Sequence, residues 1–174
     1  MNVSTDIRIH IVGVGSPHGD DRLGWVAAGE LRRSTGLAAL SPLTLTVAER
    51  DRPGMDLLRG LEGLTTLIVV DAVRTGLAAG TLHRLTGDEI GRAAGTLSSH
   101  GFGLAEALEL GRVMGCLPPR VVVFGLEIAD TDGEVLSPVV EAAMPGLVAA
   151  VEREVLDQIS RTGFDRGVPT RQDG

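Results

Sequence analysis

The chain predicts an α/β sandwich built on a largely parallel sheet. Short apolar runs at Ile7–Val14, Leu43–Val47, Leu67–Val70 and Val121–Phe124 alternate with segments of helical periodicity. Three of the four become almost wholly apolar, as strands covered on both faces do. No repeat or linker divides the 174 residues, so one domain over residues 1–160 is expected, with a polar, unpatterned tail over 161–174 that frays.

The first strand, Ile7–Val14, begins with alternation and turns fully apolar; His10 lies within it, remote from its end. Gly13 to Asp21 reads as a loop. Leu23, Val26, Ala27, Gly29 and Leu31 then form a helical stripe to about Arg33, with Asp20 or Asp21 at its start, where exposed N–H groups favour an anion. Leu43–Val47 alternates as a strand. Arg52-Pro53-Gly54 opens a second helix carrying Met55, Leu57, Leu58 and Leu61. Leu67–Val70 is a short buried strand that stops at Asp71. Gly80–Leu85 reads as an edge strand, and residues 87–96 are weakly patterned and polar. Gly101–Met114 is a helix with Leu104, Ala107, Leu108 and Leu110 near one face, broken by Pro118-Pro119. After Val121–Phe124 comes a turn at Asp130-Thr131-Asp132-Gly133. Ser137-Pro138 starts a helical turn, and Met144–Ile159 is an amphipathic closing helix.

Composition narrows the function classes. The net charge is −7 with no basic block, which disfavours nucleic acid. There is no lysine, and aromatic residues are scarce, so the core is built from Leu, Val, Ile and Ala. The single cysteine, Cys116, rules out an intrachain disulfide or a Cys-rich zinc site and reads as a small apolar residue. The N-terminus lacks a signal-peptide layout, and no apolar run reaches the ~20 residues of a membrane span. A cytoplasmic protein that engages neither membrane nor nucleic acid is expected, with a monomer favoured.

Function gathers at the carboxyl ends of parallel strands. Gly13–Asp21 and Asp71 lie there on this reading, and His100, opening a helix behind Ser99, can reach the same edge. Two acids and an imidazole arriving separately make a three-point grip for a borderline metal ion. A helix start disfavours imidazolium, and neutral imidazole is the form a metal needs. Asp71 follows four apolar strand residues, where a carboxylate without a partner is costly. The Gly13-Val14-Gly15 turn is no dinucleotide fingerprint: His18 stands at the third glycine's place. A phosphate ~4 Å from one of the adjacent acids would meet roughly 4 kcal/mol of repulsion. A Ser-His-Asp hydrolase using Ser98 or Ser99, His100 and Asp71 lacks a Gly-x-Ser-x-Gly elbow. His18 reads as a solvated loop side chain, His83 as an edge-strand side chain, and Glu127 as facing solvent or orienting a neighbour.

Four ordered stretches carry a resemblance. They are Gly13-Val14-Gly15-Ser16 through Asp20-Asp21 to Gly24, Val69-Val70-Asp71-Ala72, Ser99-His100-Gly101-Phe102-Gly103-Leu104, and Gly125-Leu126-Glu127 followed by Leu136-Ser137-Pro138-Val139-Val140. In order and spacing, up to about Leu156, the chain resembles the nickel–iron hydrogenase maturation endopeptidases. The resemblance implies a three-layer α/β/α sandwich, in agreement with the residue reading. It also implies an endopeptidase that clips the C-terminal extension from a nickel-loaded hydrogenase large-subunit precursor. Asp21, Asp71 and His100 take the positions of the family's metal-engaging residues. The nickel is supplied by the precursor, and no organic cofactor is implied. A non-catalytic checkpoint protein using the same three residues is the alternative. Two positions depart from the family pattern. Ser16 replaces the usual asparagine and can still hydrogen-bond in the turn; Arg22 replaces a common glycine and can pair with Asp20 or Asp21, weakening metal engagement.

Overall fold

A computed structural model of the protein describes residues 6–51, 54–92, 103–129 and 132–164. Five strands, β1 (Ile9–Gly15), β2 (Leu45–Asp51), β3 (Thr66–Val73), β4 (Leu82–Thr86) and β5 (Arg120–Glu127), form one sheet in the order β2-β1-β3-β5-β4. Neighbours pair in parallel except β4, which runs antiparallel to β5 at the edge.

Alternate strand residues face opposite sides, which makes three layers. Ile9, Ile11, Ile68, Val70, Val122 and Phe124 pack beneath α1 (Leu23–Arg33) and α4 (Pro138–Phe164). Val12, Val14, Leu67, Val69 and Val123 pack against a 3-10 turn at Met55–Leu58, α2 (Asp88–Arg92) and α3 (Leu104–Met114). Leu67 to Val70 are fully buried, each worth about 1.5–3 kcal/mol of burial. No helix among the described residues is long and apolar enough to cross a membrane.

The predicted strands recur with adjusted bounds, the helices α1, α3 and α4 recur, and Asp88–Arg92, in a stretch read as weakly patterned, adds the short helix α2. β3 does not stop at Asp71: its ladder to β5 continues through Asp71–Gly125 to Val73–Glu127. Its pairing with β1, however, ends at Gly13–Val70. Asp71 is therefore the first residue of β3 to stand beyond the β1 ladder, since backbone pairing rather than side-chain polarity sets the strand's end. β2 runs on to Asp51 because β1 offers partners as far as Gly15. The helix expected after Gly54 is only the 3-10 turn; Arg52 and Pro53 lie outside the described residues. Finally, Pro138 to Phe164 is one helix containing Pro145. Val140, Met144, Leu147, Val151 and Val155 form one buried stripe across the proline, and that packing outweighs the ~3 kcal/mol an interior proline costs. α3 ends at Gly115 in the left-handed region, φ 66°, before the prolines are reached. The Cys116 and Gly115 amides donate to the Gly111 and Arg112 carbonyls, the Schellman closure.

One backbone contact aims the first loop. A Cβ on Gly13 would lie 1.9 Å from the Gly24 carbonyl oxygen, and a Cβ on Gly24 would lie 2.0 Å from that of Val14. β1 and the start of α1 thus touch main chain to main chain, which only glycine permits. The glycines serve a close approach to the protein's own helix.

Candidate active site

The chain leaves β1 at Gly15, turns, and enters a 3-10 turn at Gly19–Arg22 that packs on β3. Asp21 is 6% exposed and Asp71 is 8% exposed. Asp71 Oδ1 accepts the Ala72 amide at 2.8 Å. Burial pushes the Asp71 carboxyl well above the usual carboxylate range, against the Ala72 hydrogen bond, and the Asp21 charge pushes it further. The two acids, fifty positions apart in sequence, are thus both placed at the carboxyl-end side of β1 and β3, within range of each other's charge. The connection from β1 leads away to β2 while β3 lies on the other side, the switch point at which open α/β sheets place their sites.

His100, with Ser98, Ser99, Gly101 and Phe102, lies outside the described residues. The described chain resumes at Gly103, just before α3 on the face that also receives Val69, two residues before Asp71. Among the described residues no group of three or more His, Cys, Asp or Glu side chains forms a metal-holding cluster. Two crowded buried carboxylates, one biased toward its protonated form, nonetheless suit a divalent cation, which would displace the proton and relieve the repulsion.

The remaining residues of the quoted stretches hold the turns around the two acids. Ser16, 3% exposed, donates its hydroxyl to Asp21 Oδ2 at 2.5 Å and its amide to the Asp21 carbonyl at 3.2 Å. Asp20 accepts the Ser137 amide at 2.6 Å and the Ser137 hydroxyl at 2.9 Å. Gly19 donates its amide to the Gly133 carbonyl at 2.5 Å, and the Arg22 guanidinium donates to the Glu134 carbonyl. Arg22, expected beside Asp20 or Asp21, thus reaches the main chain of the loop before α4. These contacts clasp the Asp21 turn to that loop.

Glu127, expected to face solvent or orient a neighbour, does only the second: it is 2% exposed. It accepts the Thr75 amide at 2.7 Å, the Thr75 hydroxyl at 2.8 Å, the Gly76 amide at 2.9 Å and His83 Nε2 at 3.1 Å. Burial pushes its pKa up, but these hydrogen bonds outweigh burial and hold the carboxyl below its usual range. His83 is thereby a partner of Glu127 rather than a bare edge side chain. Gly125 faces Val73, whose Cγ1 would sit 2.7 Å from an added Cβ. His18 is exposed, as expected, and His10 contacts Thr46 Oγ1 through Nδ1 at 2.6 Å. Sequence reasoning missed the Asp20–Ser137 clasp; Ser137 before Pro138 signals a helix start, but nothing local names a partner 117 residues away.

Comparison with known proteins points one way. A family model described as hydrogenase maturation protease matches residues 51–154. The hydrogenase expression/formation protein HupD of Bradyrhizobium diazoefficiens is 29% identical over 155 residues, 86% of this chain and 79% of the relative. HoxM of Azotobacter vinelandii is 34% identical over 104 residues, 57% of this chain and 50% of the relative. Among solved structures, the hydrogenase maturating endopeptidase HybD from E. coli shares the fold with a TM-score of 0.76 at 24% identity, over 87% of this chain and 94% of that one. A HybD from Thermococcus kodakarensis gives 0.69 at 21% identity, over 86% and 99%.

Proposed function

We infer that this chain, which belongs to the hydrogenase maturation protease family, is an endopeptidase that removes a C-terminal extension from a nickel-loaded hydrogenase large-subunit precursor. The nickel arrives as part of the substrate, and Asp21, Asp71 and His100 are the residues that engage it. What supports this reading is the family match over residues 51–154, together with the placement of the Asp21 turn on β3 at the switch point, where Asp71 stands beyond the β1 ladder. Carboxylates and imidazole suit a borderline divalent ion. A nickel ion seated there would replace the Asp71 proton, so loaded precursor is bound in preference to empty precursor. The same ion would polarise a carbonyl placed against it. Ser16 and Asp20 hold the Asp21 turn, and Glu127 holds the loop that follows β3, so the acids are oriented before substrate arrives.

The test is to incubate the protein with nickel-loaded precursor and follow the precursor's C-terminal mass. A shortened product with wild type, and intact precursor with a folded Asp71→Ala variant, is the expected result. Cleavage surviving in Asp71→Ala would show that the site is misassigned. Stable association of wild type without cleavage would identify a checkpoint protein instead.

A further inference from the structure

We propose that Ser16 is a positioning residue for the cleavage reaction, acting through Asp21. The inference rests on the reading that Asp21 engages the precursor's nickel. Its own basis is geometric. The Ser16 hydroxyl donates to Asp21 Oδ2 at 2.5 Å, and the Ser16 amide donates to the Asp21 carbonyl at 3.2 Å, so one residue holds both the carboxylate and the main chain of the other. Both lie in the interior, 3% and 6% exposed, where water is poorly placed to substitute for a lost donor. The turn that brings them together is tight: a Cβ on Gly15 would sit 2.6 Å from the Asp21 carbonyl oxygen.

A hydrogen bond donated by a fixed hydroxyl to an ionised or metal-engaging carboxylate does two things. It selects one carboxylate rotamer, and it sets which oxygen faces the neighbouring Asp71. Partners of this kind orient metal ligands, and removing one typically costs about 10–100-fold in metal affinity or activity. The amide contact is independent of the side chain, so Ser16→Ala keeps the turn and loses only the orienting donor. This separates positioning from folding.

The experiment measures kcat and KM for cleavage of nickel-loaded precursor, alongside thermal unfolding, for wild type, Ser16→Ala, Ser16→Thr, Ser16→Val and Asp21→Asn. Ser16→Ala is expected to lose about 10–100-fold in kcat/KM at a temperature where its unfolding curve shows it still folded. Thr and Val are equal in shape and differ in the hydroxyl, so Ser16→Thr is expected to cleave faster than Ser16→Val. That pair decides the matter if Ser16→Ala does not fold. Wild-type cleavage by Ser16→Ala, or equal cleavage by the Thr and Val variants, would overturn the inference. If Asp21→Asn abolishes cleavage in that case, the site assignment stands and only the role of Ser16 is lost. If Asp21→Asn cleaves normally, the site assignment itself falls.

Discussion

Asp71 is a residue whose folded environment opposes its own charge. Burial and the Asp21 carboxylate both raise its pKa, so the native state holds a proton that the unfolded chain, with a carboxyl pKa of about 3.9, releases sooner. Native protein therefore binds more protons between the unfolded and folded values, and this residue's contribution to stability falls as pH rises through that window. Asp71→Asn keeps the acceptor for the Ala72 amide and removes the charge. It should melt above wild type at pH 7, melt alongside it below about pH 3, and cleave no precursor. Calorimetry across pH, with the cleavage assay, checks all three. Glu127 behaves oppositely. Its carboxyl is held below the usual range, so its contribution is present above an unfolded pKa near ~4.3 and is lost as pH falls through the lower folded value. Glu127→Ala strands the Thr75 and Gly76 amides and should cost about 1–3 kcal/mol in urea unfolding at neutral pH. Asp71 stood out in the sequence because a carboxylate follows four apolar strand residues, and Asp21 because it stands at the start of a helical stripe just after the glycine turn. That Ser16 hydrogen-bonds in the turn and that Glu127 orients a neighbour were legible too, but their partners were not, because these are set by how a turn and a neighbouring strand happen to fall.

At the scale of elements, the site is aimed by the contact between β1 and α1. Gly24→Ala drives a methyl into the Val14 and Val70 carbonyls, which are main chain and cannot swing away. The expected cost is about 1–3 kcal/mol or more, read as a lowered melting temperature with cleavage reduced at temperatures where the variant is still folded. The clasp between the 3-10 turn and the start of α4 gives a second prediction. Asp20→Ala and Ser137→Ala should each cost about 1–2 kcal/mol, and the double variant should cost clearly less than their sum, because both remove one pair of bonds. Additive losses in urea unfolding would mean the two residues act separately. The strands could be read from their apolar runs, since Ile11 to Val14 and Leu67 to Val70 are apolar on both faces. Their ends could not. β3 passes Asp71 because β5 keeps supplying backbone partners, and α4 passes Pro145 because its buried stripe continues on the far side.

Across the whole molecule, two helices on one face and the smaller elements on the other cover the sheet, and one buried acid ties the layers together at the β4 edge. Glu154 of α4 accepts Arg84 of β4 at 2.7 and 2.9 Å, Arg120 of β5 at 3.0 Å and Gln158 at 2.8 Å. Burial pushes its pKa up, and these donors together hold it below the usual range. Both arginines are a third or more exposed, so water softens the loss of their partner. Glu154→Ala should cost about 1–3 kcal/mol, lowering the melting temperature by about 2–4 °C per kcal/mol in a chain of this size. Nothing in the sequence singles out Glu154, one of several acids on an amphipathic helix; its importance is a matter of which residues the sheet places opposite it. The α/β sandwich on a largely parallel sheet, by contrast, follows from the alternation of strands and helices alone. The clasp at Ser137 has a consequence in time. A ribosome delivers β1 and its acidic turn early, yet the hydroxyl and amide that grip Asp20 emerge more than a hundred residues later. The turn that carries Asp21 is thus fastened by residues made long after it, and it takes its final shape only once they have emerged.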